Sequence, residues 1–312
     1  MYKILISDTL PDPAIGLMTK DERYQVLVKP GLDPESLKKI IGAYHALIVR
    51  SATKVTSDII NAAAHLKIIG RAGSGLDNID VNYARDKGIE VINTPGSNSR
   101  AVAELTIGMM FALSRHLYPA ISSMKNHVWA KAQLGGTEIR DKILGLVGFG
   151  KIGREVGRLA AGLGMRILVY KPNPVKKSPG YEFELVDLDT LLVKSDYVSL
   201  HLPKTDQTAN LLTRREFTKM KDTAYLINCA RGGIVNEQDL QAALDANRLA
   251  GAALDVYAEE PPQKFELIDH KKVLATPHIG GATRESQERV GIDIVTGIMN
   301  YLETKYVFIG GE

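Results

Sequence analysis

The sequence holds a single cysteine, Cys229, so it can form no internal disulfide framework and no cysteine-based zinc site, and no metal is expected. One thiol suits a reducing compartment. The N-terminus reads Met-Tyr-Lys-Ile-Leu-Ile-Ser-Asp, with neither a charged leader nor a cleavable apolar segment, and a cytoplasmic protein is the expectation. Apolar runs long enough to cross a bilayer are missing, so no membrane partner is expected. Charge of one sign is also scarce: 39 Lys and Arg stand against 36 Asp and Glu, and no basic block could track a phosphate backbone, which argues against nucleic acid. Hydrophobic residues at 45% and charged residues at 24% are ordinary for a globular protein and leave little room for long disordered tails.

What is present is enough chain for two cores, since 312 residues exceed the usual single-domain size. Apolar runs alternate with amphipathic helical stretches: Lys3 to Ser7, His45 to Arg50, Lys67 to Arg71, Ile89 to Asn93, Ile143 to Val147, Arg166 to Tyr170, Tyr197 to His201 and Ala224 to Asn228. Such alternation predicts parallel sheets, and near-continuous runs such as Ile143-Leu144-Gly145-Leu146-Val147 predict strands covered by helices on both faces. The fold class is therefore α/β with two doubly wound parallel-sheet domains. Turn formers from Asn93 to Asn98 mark one crossing, and Thr276 to Thr283 mark a second before a closing helix too short to stand alone. The expectation is a substrate domain made of residues 1–96 and 284–312, with a dinucleotide-binding domain, 97–283, inserted in it.

Gly148-Phe149-Gly150-Lys151-Ile152-Gly153 fits G-x-G-x-x-G directly after one strand and at the head of a helix through Arg154, Val156 and Leu159. The first glycine permits a tight turn, the second lets the backbone approach a pyrophosphate, and the third allows close helix packing. The pattern alone is weak; its setting between strand and helix strengthens it. The next strand should end in an acid for the adenosine ribose, but it runs into Tyr170-Lys171-Pro172. An ammonium at Lys171, with Lys176 and Lys177 nearby in sequence, attracts a 2′-phosphate, so the cofactor is read as NAD or NADP. A solvated loop lysine is the competing explanation.

Reduction of a 2-keto acid needs a cation for the carboxylate, a proton donor at the carbonyl oxygen and a group that holds the donor protonated. Arg231 follows a strand in Asn228-Cys229-Ala230-Arg231-Gly232-Gly233, Glu260 lies in Ala258-Glu259-Glu260-Pro261-Pro262, and His278 lies in the second turn cluster. Taken singly, these could be a surface ion pair, a loop charge and a helix cap. Cys229 has no adjacent base in the sequence and reads as small core filler rather than a nucleophile.

Taken together, these segments and their order resemble the D-isomer-specific 2-hydroxyacid dehydrogenase family over nearly the whole chain. Val49 to Thr56, Gly70 to Asn78 and Asn228 to Val235 are similar in particular to its phosphoglycerate dehydrogenase branch. The resemblance implies a Rossmann domain inserted into a flavodoxin-like one, and hydride transfer between a D-2-hydroxy acid and a nicotinamide cofactor. It implies His278 as acid/base, Glu260 as its partner and Arg231 as substrate anchor. Asp255 would meet the nicotinamide end, with Ser74, Lys151, Ile152, Leu202, Cys229, Ala230 and Gly280 as further cofactor contacts. Arg50, Ser51, Arg71 and Gly73 would form the far wall of the substrate site, suited to a small-molecule acid that is phosphorylated. Trp129-Ala130-Lys131 matches a segment that reaches a neighbouring subunit, with Lys131 in the partner's site, which implies a homodimer or a dimer of dimers. Glyoxylate, hydroxypyruvate or D-lactate reduction stays open, as does a dinucleotide-sensing corepressor scaffold. The short stretch after the closing helix implies no C-terminal regulatory domain.

Overall fold

A computed structural model describes residues 1–171 and 180–305; Lys176 and Lys177 lie outside the described residues. The chain divides into two compact units, Met1–Asn98 with Ala282–Glu312, and Ser99–Gly281.

The first unit is a five-stranded, all-parallel sheet built from β1 (Tyr2–Ile6), β2 (Tyr24–Val28), β3 (Ala46–Val49), β4 (Ile68–Arg71) and β5 (Glu90–Asn93) in the order β2-β1-β3-β4-β5. That is the flavodoxin-like order. Helices α1 (Asp12–Thr19), α2 (Pro34–Ile40), α3 (Ser57–Ala62) and α4 (Val81–Asp86) make the crossovers. The closing helix Arg284–Lys305 belongs to this unit and buries Val290, Ile294, Val295, Ile298 and Leu302 with Ile4, Ile6 and Ile68. Its approach is close because two glycines permit it: a Cβ on Gly70 would stand 2.6 Å from Ile298, and one on Gly291 would stand 2.9 Å from Ala14. Each buried aliphatic contributes roughly 1.5–3 kcal/mol as an upper estimate, enough to tie the chain's end to its beginning.

The unit boundary falls at Asn98 rather than after Gly96. The turn past β5 is tied back to its own sheet, since Thr94 N–H donates to the Gly73 carbonyl (3.1 Å) and Ser74 Oγ donates to Asn98 Oδ1 (2.8 Å).

The second unit opens with α5 (Ser99–Ser114) and α6 (Leu117–Lys125) and contains a seven-stranded parallel sheet. Its strands are β6 (Ile143–Val147), β7 (Arg166–Tyr170), β8 (Glu184–Leu185), β9 (Tyr197–Leu200), β10 (Tyr225–Asn228), β11 (Gly251–Leu254) and β12 (Val273–Ala275). They lie in the order β12-β11-β10-β9-β6-β7-β8, the Rossmann order with one added edge strand. Helices α7 (Lys151–Gly162), α8 (Leu188–Lys194), α9 (Arg214–Phe217) and α10 (Glu237–Asp245) connect them. One core packs α5 and α7 on one face through Ile107, Met110, Leu146, Val156 and Ile227; the other core fills the opposite face through Val147, Leu200, Leu226, Leu240 and Leu254. Among the described residues no helix is long and apolar enough to cross a membrane.

Four strands escaped the sequence pattern. β11 reads Gly-Ala-Ala-Leu, with no β-branched or aromatic residue, yet is wholly buried between β10 and β12. Its place is set by tertiary pairing rather than by propensity. β8 and β12 have two and three residues, and β2 is an edge strand with an exposed end, so none carries a long apolar run.

Candidate active site

Register in the second sheet places six strand ends level with one another. Val147 pairs with Tyr170 and Leu200, Leu200 with Asn228, Asn228 with Leu254, and Leu254 with Ala275. The residues that follow are Gly148, Lys171, His201, Cys229, Asp255 and Thr276. Because the strands are parallel, every one of these loops leaves the same edge, where open α/β sheets present ligand-binding groups.

Each glycine of the 148–153 turn has its own cause. Gly148 adopts φ +99°, and a Cβ there would stand 2.4 Å from the His201 carbonyl oxygen and 2.6 Å from Leu202. At Gly153 a Cβ would meet the Gly148 carbonyl oxygen at 2.5 Å, so the helix could not approach the turn. Gly150 is different: it is the N-cap of α7, it is exposed, and nothing lies within 4 Å of where its Cβ would be. Open space above a bare backbone at the head of a twelve-residue helix fits a dinucleotide pyrophosphate, with the first-turn N–H groups as donors. Phe149 anchors the turn from below, buried with its ring 4.9 Å from that of Phe183 and under the Arg154 guanidinium at 5.0 Å. Lys171 is partly exposed directly after β7.

Arg231, Glu260 and His278 are brought together within this unit. His278 Nδ1 and Glu260 Oε2 are 2.6 Å apart, and Glu260 Oε1 accepts the Tyr257 N–H at 3.1 Å. Partial burial pushes the Glu260 carboxyl up, but the hydrogen bonds from His278 and Tyr257 and the charges of His278 and Arg231 outweigh it and hold the group below its ordinary value. The Arg231 turn abuts the Tyr257 turn so closely that a Cβ on Gly232 would stand 1.6 Å from the Tyr257 carbonyl oxygen. Asn228 stitches the turn: its Oδ1 accepts the Ala230 N–H (3.1 Å) and its Nδ2 donates to the Arg231 carbonyl (3.0 Å).

His278 has φ +54°. A left-handed non-glycine residue persists where its surroundings over-determine it, and here a buried carboxylate does so. Asp255, 1% exposed, accepts Thr276 Oγ1 (2.6 Å) and the Ile279 N–H (2.8 Å) on Oδ1, and the Gly280 N–H (2.7 Å) on Oδ2. It thereby holds the turn on both sides of His278. Tyr257 adds a second tie, its hydroxyl donating to the Thr276 carbonyl at 2.9 Å.

Other expected residues stand in different surroundings. The Cys229 thiol is buried against Met109, with Sγ and Sδ 3.5 Å apart, and burial pushes it up to about 12; only its backbone can serve a ligand. Lys131 lies on an exposed turn of 3-10 helix, two residues after the exposed Trp129. Arg50, Ser51, Arg71, Gly73 and Ser74 belong to the first unit. There Arg50 follows β3 and Arg71 ends β4, with the Arg71 guanidinium covering Gly73, φ +148°, where any Cβ would collide with it. Asp8, Asn78, Asn228, Tyr257 and Thr276 were not singled out from the sequence. Only Asp8 carried a signal, as an acid at the end of an apolar strand.

Residues 107–280 match the family described as D-isomer specific 2-hydroxyacid dehydrogenase, NAD binding domain. The chain belongs to the D-isomer specific 2-hydroxyacid dehydrogenase family. It is 44% identical to a hydroxypyruvate reductase of Thermotoga maritima over 96% of this chain and 98% of that protein. It is equally 44% identical to a D-3-phosphoglycerate dehydrogenase of Synechocystis, over 97% of this chain and 54% of that one. The chain thus spans about half the length of that phosphoglycerate dehydrogenase. Among solved structures, an acyclic imino acid reductase in complex with NADPH and D-Arg superimposes with a TM-score of 0.88 at 29% identity, covering 97% of this chain and 98% of that one. Family membership makes this chain an oxidoreductase with a nicotinamide cofactor.

Proposed function

We propose that the chain interconverts D-3-phosphoglycerate and 3-phosphohydroxypyruvate, with His278 as acid/base, Glu260 as its partner and Arg231 as the anchor of the substrate carboxylate. The observation that carries the acid/base part of this reading is the 2.6 Å contact between His278 Nδ1 and Glu260 Oε2 beside Arg231. With Nδ1–H donated to Glu260, Nε2 is the nitrogen left to accept the hydroxyl proton in oxidation and return it in reduction. Glu260, held ionised, stabilises the imidazolium formed on the way. The guanidinium of Arg231 matches a carboxylate through two parallel N–H donors. The nicotinamide, when bound, takes up or supplies the hydride. Asp255 fixes the turn that carries His278 and lies where the nicotinamide end is expected.

The phosphate end is assigned to Arg50, Ser51, Arg71 and Gly73. Its support is that two arginines follow or end adjacent parallel strands of one sheet edge. A second reading, reduction of unphosphorylated hydroxypyruvate, is favoured by the relative that matches over nearly its full length. Lys171 supports acceptance of NADPH as well as NADH. The deciding experiment is a panel of 2-keto acids, 3-phosphohydroxypyruvate and hydroxypyruvate among them, run with both coenzymes on the wild type and on Lys171→Asp. A kcat/KM higher for hydroxypyruvate than for its phosphate ester overturns the phosphorylated reading, and a strong NADH preference left unchanged in the variant overturns the role of Lys171.

A homodimer is proposed on the surface of α6 and the turn behind it. Leu117, Ile121, Met124, Val128 and Trp129 are all exposed, and α6 buries none of its residues. An apolar stripe at this spacing suits a second copy of the same surface. Light scattering at micromolar concentration is expected to give a dimer at least; a monomer overturns both the interface and the partner role of Lys131.

A further inference from the structure

In the first unit, the turn from Arg50 to Thr53 is held from inside by two side chains that no part of the proposed chemistry uses. Asp8 follows β1 and is 6% exposed. Its Oδ2 accepts the N–H groups of Arg50 (2.5 Å) and Thr53 (3.2 Å), and its Oδ1 accepts Thr53 Oγ1 (2.9 Å). Asn78 completes the hold from the other polarity, its Nδ2 donating to the carbonyls of Arg50 (2.7 Å) and Thr53 (2.6 Å). Both ends of the turn are therefore fixed through N–H and C=O together. Ser51 and Ala52, between them, are exposed and donate their N–H groups to no described backbone carbonyl. The Arg50 guanidinium makes one long contact, 3.4 Å from Nη1 to the Thr9 carbonyl.

A buried carboxylate is a poor neighbour for an anion on purely Coulombic grounds, since like charges repel across a few ångströms. Its presence directly under a turn that displays a cation and backbone donors is therefore a matter of geometry, and the cost in potential is offset by the order imposed. We infer that Asp8 is a positioning residue for substrate selectivity: by pinning the Arg50–Thr53 turn it aims Arg50 and the Ser51 and Ala52 amides at the phosphate of a phosphorylated 2-keto acid. The inference rests on the reading of Arg50 as a contact to that end of the substrate.

Two variants separate geometry from charge. Asp8→Ala removes every tie, whereas Asp8→Asn keeps an oxygen for the two N–H groups and an amide that donates to Thr53 Oγ1, while removing the negative charge. In the reduction direction Asp8→Ala is expected to raise KM for 3-phosphohydroxypyruvate about tenfold or more, as expected for losing charge-assisted hydrogen bonds to an anion. KM for hydroxypyruvate, which lacks the phosphate, and KM for the coenzyme stay within about twofold, because the Arg50–Thr53 turn carries none of the groups assigned to the keto-acid carboxylate, the proton transfer or the coenzyme. Asp8→Asn restores KM for the phosphorylated acid. An equal rise for both keto acids, or an asparagine variant as poor as alanine, overturns the inference. Arg50→Met distinguishes the levels: if it raises KM for the phosphorylated acid while Asp8→Ala does not, the inference falls alone. If Arg50→Met changes nothing, the reading of Arg50 falls and the inference with it. Should the melting curve show that Asp8→Ala does not fold, Asn78→Ser, which releases the two carbonyls, takes its place with the same expected outcomes.

Discussion

Two turns, one in each unit, are pinned by a buried aspartate that uses both of its oxygens, yet they are finished differently. Asp255 gathers Thr276, Ile279 and Gly280 and so presents His278, which is itself held by Glu260 at 2.6 Å. Asp8 gathers Arg50 and Thr53 and presents a guanidinium and two exposed residues whose N–H groups donate to no described backbone carbonyl. In the first case the displayed group has a charged partner of its own, the group that would stabilise an imidazolium in the proposed chemistry. In the second the displayed groups are, on the proposed reading, donors for an anion. On the proposed assignments one physical device, a desolvated carboxylate organising backbone N–H groups, would serve proton transfer in one place and recognition in the other.

The largest expected effect breaks the displayed group on the chemical side. His278→Ala is predicted to lower kcat by about a hundredfold or more, as loss of a general acid/base does. Near-normal turnover would end its assignment and remove the contrast between the two turns. Asp255→Ala comes next: it leaves two N–H groups and a hydroxyl without their acceptor and is predicted to cost about 2–5 kcal/mol of stability, read by denaturant unfolding, together with kcat rather than KM for the keto acid. A variant that loses KM for the keto acid and keeps kcat would mean that Asp255, like Asp8, serves recognition, and the comparison would collapse.

The smallest effect sharpens the electrostatic half. The Glu260 carboxyl titrates below its ordinary value in the folded chain, so its contribution to stability is fully present above the ordinary glutamate pKa and is lost as pH falls through the lower folded value. Glu260→Gln removes that dependence. Because the side chain is about a third exposed, screening keeps the effect small, and the acid-side difference in Tm between wild type and variant is expected not to exceed about 2 °C. A wild-type Tm that rises relative to the variant as the solution is acidified below pH 4 would reverse the sign and refute the ion pair.

Much of the fold was legible because parallel strands buried on both faces write their position as apolar runs. Ile143 to Val147, Tyr197 to His201 and Ala224 to Asn228 each announced a strand, and each lies in the second sheet as β6, β9 and β10. β11 was silent, since Gly251-Ala252-Ala253-Leu254 has no β-forming side chain and owes its state to neighbours on either side. The candidate site was legible where residue type itself carries the chemistry, as with Gly148, Gly150 and Gly153, or Arg231 and His278. Asn78, Asn228 and Tyr257 were not. Amide and phenol groups occur everywhere in sequences, and their task here is to meet particular backbone atoms that only the folded chain assembles.

The sequence by itself determined the alternation of strands and helices, the glycine turn at the head of α7 and the stock of charged groups, because local sterics and the burial of apolar runs act on neighbours along the chain. Tertiary structure alone decided that Glu260 meets His278 across seventeen intervening residues and that Asp255 holds the turn in between Thr276 and Gly280. It likewise decided that Asp8 reaches Arg50 and Thr53 more than forty positions away. Those contacts depend on strand register, which aligns the ends of strands remote in sequence at one edge, and register is a property of the assembled sheet.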